Sequence, residues 1–211
     1  MSNLEFIYKR HSVRKFTDQE VPIEDLKKIL EAATYCASAK NVQNWHFVVV
    51  KNKEKIEEMA KAIEEKNACI AEDIKNEEKK ASFTKFVRFA TVFRNAPVAI
   101  AIYAGPYTPT GLDELTEIGG YEAEINHLLE MSPKMQSVGA AIENLSLAAA
   151  EMGYGTCWMT SGNYAAKEVS DVIGFEKENF ALAAIVPIGV PDGPIKSPGR
   201  KPVEEVTTVI E

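Results

Sequence analysis

The run Ser137-Val-Gly-Ala-Ala-Ile-Glu-Asn-Leu-Ser-Leu-Ala-Ala-Ala150 is apolar or small at nearly every position. Together with Ser132 as a cap and Pro133 as first residue, it predicts one long helix from about Pro133 to Met152, which Gly153 ends. A helix that is apolar on all sides is surrounded by protein, either in a deep core or across a subunit contact.

Outward from that helix, four short runs rich in β-branched and aromatic residues predict buried strands. They cover residues 45–50, 97–103, 156–159 and 180–188. Further helices are predicted over 23–35, from Lys53 (capped by Asn52) to about Lys66, and over 165–173, with a short one near Leu4.

The remaining segments are less regular. Phe86, Phe89 and Phe93 recur at helical spacing and indicate a core-facing stripe. Residues 104–120 are rich in glycine and proline, which predicts a loop or mobile lid. The tail after Pro191 is expected to have no regular structure before Val203, and to run along a surface or a partner.

Composition excludes several classes. The chain has 211 residues, a length that suits one large domain or two small ones, and no linker divides it. It is 45% hydrophobic and 26% charged, values typical of a soluble globular protein, with a formal net charge of −7. The negative charge disfavours nucleic acid or an anionic membrane surface as partner. No apolar run reaches the ~18 residues of a membrane-spanning helix, and the N-terminus lacks a secretory pattern, so a cytoplasmic location is expected. Cys36, Cys69 and Cys157 lack the spacing of a zinc or iron–sulfur site, and Cys157 is interpreted as a small buried hydrophobe.

Two basic clusters, Arg10-His-Ser-Val-Arg-Lys-Phe16 and Arg200-Lys201, contrast with this acidic background. Their side chains can present several hydrogen-bond donors to one dianionic phosphate, and the planar guanidinium group suits phosphate oxygens. A solvated helix end followed by a loop is the alternative interpretation of the first cluster.

Standard catalytic patterns are missing. The sequence contains no P-loop, G-x-S-x-G, H-E-x-x-H or EF-hand motif, and Gly153-Tyr-Gly155 follows a helix, unlike a dinucleotide fingerprint. His46 is predicted to be a packed or pocket-lining residue, and His127 has no evident partner. Without a metal site or a nucleophile–base pair, a bound organic cofactor is the simplest carrier of chemistry.

Four blocks, in family order and over nearly the whole chain, resemble the FMN-dependent nitroreductase family. They are Arg10 to Phe16 with Val21-Pro22; Ala37-Ser-Ala-Lys-Asn-Val-Gln-Asn-Trp45; Gly139 to Trp158; and Gly189-Val-Pro191 with Arg200-Lys-Pro202. The resemblance implies an α+β fold with helices around a mixed, mostly antiparallel sheet, and an interlocked homodimer. It also implies a single FMN-binding domain over 1–211, a lid or specificity region at about 66–130, and a C-terminal extension onto the partner at about 191–211.

The resemblance also implies how FMN would be held. Arg10, His11 and Ser12 correspond to phosphate and ribityl contacts, Arg200 to a second cation on the phosphate, and Arg14 to a cation near N1 and O2 of the ring. A positive charge there lowers the cost of accepting hydride. The other implied contacts come from the partner subunit's loop and from a turn whose N–H groups approach N5 and O4; the full set is Arg10, His11, Ser12, Arg14, Ser38, Ala39, Asn41, Gln43, Met159, Thr160, Ser161, Arg200 and Lys201.

The implied activity is hydride transfer from NADH or NADPH through flavin N5 to a nitroaromatic, quinone or activated alkene, with ping-pong kinetics and no essential acid–base residue. The chain departs from the family pattern at Ala37 and Asn44, where proline is usual. Two alternatives remain: other flavin chemistry, such as dehalogenation or oxidation of flavin or peptide groups, and a flavin-binding protein without turnover. A dehalogenase would be expected to show a Glu/Tyr/Lys set in the lid, and only Glu117 and Tyr121 have suitable spacing.

Overall fold

A computed structural model of the chain describes residues 4–194 and 198–211 and has a four-stranded sheet at its centre. The strands lie in the spatial order β1-β2-β4-β3, and each neighbouring pair is antiparallel. Ser12 adds a parallel bridge to Thr156 at the outer edge of the sheet. The predicted mixed, mostly antiparallel sheet is thus confirmed. The strands are β1 (Trp45–Val50), β2 (Val98–Ala104), β3 (Gly155–Thr156) and β4 (Ala181–Gly189).

Strand β3 is shorter than the predicted run 156–159 because β4 cannot complete the ladder opposite it. Met159 and Ile185 still exchange two backbone hydrogen bonds, of 3.1 and 2.9 Å. In the same register, the residue two positions before Met159 is Cys157, and it lies opposite Pro187. Pro187 has no N–H to donate. The missing donor interrupts the ladder between β3 and the Met159 pairing.

Helices cover both faces of this sheet. In chain order they are α1 (Glu5–Lys9), α2 (Ile23–Thr34), α3 (Lys53–Asp73), α4 (Glu77–Ala90), α5 (Leu112–Ile118), α6 (Glu122–Met131), α7 (Pro133–Glu151) and α8 (Ala166–Ile173). One apolar core joins α2 and α7 to one face of the sheet, and a second joins α3 and α8 to the other. Alternation along β2 supplies both cores, since Ile100 and Ile102 enter the first while Ala101 and Tyr103 enter the second.

The long helix α7 begins at the predicted residue and ends one residue earlier than predicted. It was expected to be surrounded by protein, but only one of its sides is buried in the single chain. Val138, Ile142 and Leu145 are buried against the sheet, whereas the opposite side, which includes Ala140 and Glu143, remains partly open in the single chain. A subunit contact over this open side therefore stays a prediction.

Two boundary predictions and one packing prediction are wrong. Helix α3 continues to Asp73 rather than ending near Lys66, and the predicted loop 104–120 contains α5. Phe93 is buried, but Phe86 and Phe89 are exposed and pack on each other. The three rings do not form one stripe because α4 ends at Ala90, so that Phe93 lies in a separate 3₁₀ turn.

The C-terminal segment 198–211 is exposed throughout, and its first regular feature is a 3₁₀ turn at Val203–Glu205. This agrees with the predicted irregular tail over the residues that the structure describes. Within those residues, no helix combines the length and apolar character needed to cross a membrane.

Candidate functional site

Residues 10–16, here called the basic strand, are a segment that isolated bridges attach to the sheet beyond β3. The N–H of Val13 donates to the carbonyl of Thr156 at 2.7 Å, and Ser12 forms the parallel bridge to the same residue. Further along, Phe16 bridges to Pro191 after the end of β4. The first basic cluster thus follows the end of helix α1 at Lys9 with Ser12, Arg14 and Lys15 exposed, as in the alternative interpretation, but two bridges tie it to the edge of the sheet.

The close approach of the basic strand to β3 requires a glycine at position 155. A Cβ added there would lie 2.6 Å from both Cβ and Cγ2 of Val13, far inside normal contact distance. Gly155 thus lets the basic strand lie directly against β3.

Arg10 stands at the start of the basic strand and faces α7. Its Nε lies 3.0 Å from Oε1 of Glu143, and its side chain is 21% exposed. Glu143 is the one acidic residue within the small and apolar run 137–150. The pair fixes the direction of the Arg10 side chain and leaves the two Nη groups for another acceptor.

His11 contributes a polar atom that lacks a partner. Its Nδ1 is buried and makes no hydrogen bond among the described residues. The residue borders a cavity of about 270 Å³ together with Lys9, Tyr154 and the Gly153–Thr156 backbone. A buried nitrogen without a partner is costly, and such atoms are typical of sites that a ligand completes.

Ser12 and Arg14 are exposed on the basic strand and lie next to the thiol of Cys157. Burial raises the pKa of Cys157, while the charge of Arg14 and a hydrogen bond with Ser12 lower it in part. The thiol is 5% exposed, so the prediction of a small buried residue is confirmed. Its position directly beneath the two side chains was not predicted.

Residues 37–44, here called the polar loop, have an unusual backbone. Lys40, Asn41 and Gln43 have φ values of 52°, 53° and 51°, a left-handed conformation that is unfavourable for residues other than glycine. Ser38 supports the loop by accepting a hydrogen bond from the N–H of Gln43 at 3.2 Å, and Gln43 Nε2 donates to Asn41 Oδ1 at 3.2 Å. Ala39 is held by its N–H, which donates to Oγ of Ser137 on α7 at 3.0 Å. Clustered backbone strain of this kind is typical of functional loops.

The polar loop and the basic strand adjoin the same side of α7. Gln136 and Ala140 border a cavity of about 440 Å³ that Ala37, Ser38 and Ala39 also line. Glu143, which binds Arg10, follows Ala140 by one turn on the same side. Gln136 and Glu143 are separated by roughly 10 Å along the helix axis. One side of α7 therefore adjoins both predicted groups of site residues, the polar loop and the basic strand.

The predicted turn Met159–Ser161 follows β3 after two intervening residues, Cys157 and Trp158. Met159 is buried and paired with Ile185, Thr160 is exposed, and Ser161 is half-buried. The carbonyl of Thr160 accepts a hydrogen bond from the N–H of Asn163 at 3.1 Å, which closes the turn. This turn and the basic strand therefore lie at the same sheet edge.

Arg200 and Lys201 are exposed, and Nη1 of Arg200 donates to the carbonyl of Pro198 at 2.9 Å. Among the residues that the structure describes, no hydrogen bond or ion pair links either side chain to the basic strand. The predicted convergence of the two basic clusters on one phosphate stays a prediction. The segment 195–197, which leads to Arg200, lies outside the described residues.

The order of these parts along the chain matches a known family. The model of the nitroreductase family matches residues 7–190, most of the chain. The chain belongs to the nitroreductase family.

Individual relatives agree with this assignment. The chain is 44% identical to a BluB-like flavoprotein from Clostridium difficile 630, with 100% of both chains covered and a TM-score of 0.93. It is 29% identical over 192 residues to an Archaeoglobus fulgidus protein named "Putative NADH dehydrogenase/NAD(P)H nitroreductase", covering 89% of this chain and 84% of that protein. The structure of an oxidized iodotyrosine deiodinase bound to FMN and 3-iodo-L-tyrosine is 23% identical, covers 94% of each chain, and shares the fold with a TM-score of 0.68.

Sequence reasoning missed three neighbours of this nitroreductase-family site. Glu143 binds Arg10, Cys157 lies under Ser12 and Arg14, and Asn44 anchors the polar loop. The sequence could have indicated Glu143, since an acidic residue in a helix of small and apolar residues needs a partner. Cys157 carried none, because its neighbours are far away in sequence.

The histidines outside the site have other surroundings. His46 stacks on Phe175 with ring centroids 4.8 Å apart, and burial followed by the charge of Lys177 lowers the pKa of its imidazole. The prediction of a packed residue is confirmed. His127 lines a cavity between α5 and α6. Over residues 4–194 and 198–211, no cluster of three or more potential metal ligands occurs.

Proposed function

We propose that this chain is an FMN-dependent oxidoreductase that takes electrons from NADH or NADPH and delivers them to an electron-poor small molecule. The main supporting observation is the pairing of the basic strand with β3, which brings Arg10, Ser12 and Arg14 to the sheet edge from which the chain continues, through two residues, to the Met159–Ser161 turn. The flavoprotein relative, the nicotinamide in the name of the Archaeoglobus relative, and the FMN in the deiodinase structure support the same cofactors.

The residues of the basic strand fit the phosphate and ribityl parts of FMN. A guanidinium group held by one nitrogen, as Arg10 is by Glu143, still offers the planar fork that phosphate prefers. Ser12 adds an exposed hydroxyl, and the unpartnered Nδ1 of His11 suits a ribityl hydroxyl. With a net charge of −7, such local cations are the means by which this chain would hold an anion.

The other predicted residues fit the ring. Arg14 would place positive charge beside its pyrimidine side, and backbone N–H groups at Met159–Ser161 would donate to its polar edge. The polar loop would approach from the second subunit and exclude water from one side. When bound, FMN supplies the redox chemistry by accepting hydride from a nicotinamide and returning electrons to an acceptor such as a nitroaromatic, quinone or activated alkene. One pocket used in turn by donor and acceptor gives ping-pong kinetics.

A second copy of the chain is part of this proposal. The open side of α7 and the exposed apolar residues of the tail, Val203, Val206, Val209 and Ile210, would be covered in a homodimer. The hairpin α5–α6 supports the same assembly, because its two helices pack mainly against each other and expose Ile118 and Leu129. Within the proposed lid region, 66–130, strand β2 is buried in the sheet, so we propose that this hairpin is the part that acts as the lid.

Reductive dehalogenation is a second candidate because the chain shares its fold with an iodotyrosine deiodinase. Glu117 lies in α5 and Tyr121 caps α6, but no lysine follows until Lys134. The incomplete set makes this chemistry the weaker proposal.

The test begins with FMN titration of the purified apoprotein and native mass spectrometry, which should give a dimer with one FMN per subunit. Under anaerobic conditions, NADH or NADPH should bleach the flavin absorbance, and a panel of nitroaromatic, quinone, alkene and halotyrosine acceptors should restore it. Arg14→Ala should slow bleaching, whereas Arg88→Ala, which removes a cation from exposed α4, should not. A protein that binds no FMN contradicts the proposal, and bound FMN that neither nicotinamide bleaches would indicate a flavin-binding protein without turnover.

A further inference from the structure

Asn44, the last residue of the polar loop, is buried with 5% exposure. Its Nδ2 donates to two carbonyl oxygens, those of Gly105 and Lys134, both at 3.4 Å. Separately, the backbone carbonyl of Asn44 accepts a hydrogen bond from the N–H of Gly105 at 2.6 Å. One side-chain amide therefore connects three separate parts of the chain; we call this arrangement the Asn44 bridge.

The two carbonyl groups mark the two ends of the segment that carries the α5–α6 hairpin. Gly105 directly follows β2, and Lys134 is the second residue of α7, three positions after α6 ends at Met131. Because α5 and α6 pack mainly against each other, the hairpin has few other attachments within the chain. The Asn44 bridge thus fixes the place where the hairpin leaves the core.

The same side chain also holds the strained polar loop. A loop with left-handed φ at Lys40, Asn41 and Gln43 persists only where its surroundings hold it. Ser137 anchors its start through the N–H of Ala39, and Asn44 anchors its end. Both anchors reach the first turns of α7, so the loop and the base of the hairpin share one support.

We propose that Asn44 is a positioning residue that couples the polar loop to the α5–α6 hairpin, so that movement of the hairpin changes the loop that faces the flavin. The link to the flavin rests on the proposed function; the coupling itself does not. Proline, the residue usual at this position in the resembling motif, has no side-chain N–H and cannot form this bridge. The coupling is therefore a property of this chain.

Hydrogen–deuterium exchange of the full-length apoprotein tests the coupling without any flavin. In Asn44→Asp, which keeps the side-chain size but cannot donate, we expect exchange to accelerate about threefold in both 38–43 and 106–131, because the two hydrogen bonds that are lost are long, at 3.4 Å, and weaker than average. Asn44→Ser keeps one donor and should give an intermediate effect. If Asn44→Asp does not fold, the serine variant decides the question.

Two variants serve as controls. Asn67 is equally buried, and its Nδ2 donates to Phe83 O at 3.3 Å and Tyr164 Oη at 3.2 Å, so Asn67→Asp should accelerate exchange in α4 and leave 106–131 unchanged. Ser137→Ala removes the other anchor and should accelerate exchange mainly in 38–43, with a smaller increase in 106–131 because the intact Asn44 bridge transmits the change. Unchanged exchange in either segment of folded Asn44 variants, or a pattern equal to that of Asn67→Asp, overturns the proposal.

The FMN-loaded enzyme then shows whether the coupling acts on the site. Asn44→Ser should raise KM for nicotinamide and acceptor more than it lowers kcat, and should increase the mobility of bound flavin measured by fluorescence anisotropy. Coupled exchange in the apoprotein without these effects would leave the coupling in place and contradict its role at the flavin. Absence of FMN binding in the unmodified protein would instead contradict the proposed function.

Discussion

Replacing Gly155 by alanine should detach the basic strand from the sheet. The added Cβ would lie 2.6 Å from Val13 Cβ, where ordinary contact begins near 3.4 Å, so the two backbones must separate by about 0.8 Å. That movement lengthens the 2.7 Å hydrogen bond from Val13 N–H to Thr156 O beyond bonding distance. The strand cannot yield by rotating a side chain, because the conflict involves Cβ itself.

The magnitude follows from two costs. Overpacking of a tight contact costs about 1–3 kcal/mol, and loss of one backbone hydrogen bond costs about 1 kcal/mol, so we expect the free energy of unfolding to fall by about 2–4 kcal/mol. Ser12 and Arg14 flank Val13 and move with it. FMN affinity should therefore decrease as well, even though the substituted residue has no side chain in the site.

The assay combines denaturant unfolding of the apoprotein with hydrogen exchange at the Val13 amide. Gly199→Ala is the matched control, since an added Cβ there meets nothing within 4 Å. Val13→Gly combined with Gly155→Ala should recover part of the lost stability, because it removes the atoms in conflict. A Gly155→Ala protein as stable as the control, with a protected Val13 amide, would refute the reasoning.

Two further predictions concern charged partners. Arg10→Ala should weaken FMN binding by roughly 10- to 100-fold through loss of charge-assisted hydrogen bonds to the phosphate. Glu143→Gln should strengthen it, since the amide oxygen can still accept from Arg10 Nε while the negative charge that repels the phosphate is removed. Riboflavin, which has no phosphate, should show neither effect. The hydroxyl of Tyr154, followed by Lys28, lowers the pKa of Asp25 below its usual value. A lowered pKa stabilises the fold above the unfolded-state value and loses this contribution as pH falls through the folded-state value. The urea midpoints of Tyr154→Phe and the unmodified protein should thus differ at pH 7 and converge below about pH 4.

Local pattern was sufficient to predict most of the sheet. Residues 45–50 and β2 are continuous β-branched and aromatic runs, and both strands lie within a residue of the predicted bounds. The sequence predicts a longer β3 than the structure has, although Pro187 indicates an interruption. A proline inside a strand cannot donate a hydrogen bond to the neighbouring strand. The glycines at positions 111 and 119, which bound α5, were likewise interpreted as loop residues rather than as helix ends.

The site was predictable only in part, for a physical reason. Motif order along the chain identified the basic strand and the polar loop, because each is a local backbone shape with its own residues. The contacts Val13–Thr156, Arg10–Glu143 and Asn44–Lys134 join residues distant in sequence, and no local periodicity encodes them. The sequence shows that Asn44 departs from the proline usual in the family motif, but its two acceptors are brought close only by the folded chain.

The small residues of α7 have a second role beyond core packing. A Cβ at Gly139 would lie 3.0 Å from Cη2 of Trp158, so this glycine admits the indole that follows Cys157. One residue later, Ala140 leaves the cavity beside the polar loop open, and one turn further Glu143 reaches Arg10. A larger side chain at Gly139 or Ala140 would push the β3 edge or the polar loop away from the helix. The composition of α7 therefore places the basic strand and the polar loop on one open side of the helix, the side that we propose to lie against the second subunit, which a helix optimised for core packing alone would not require.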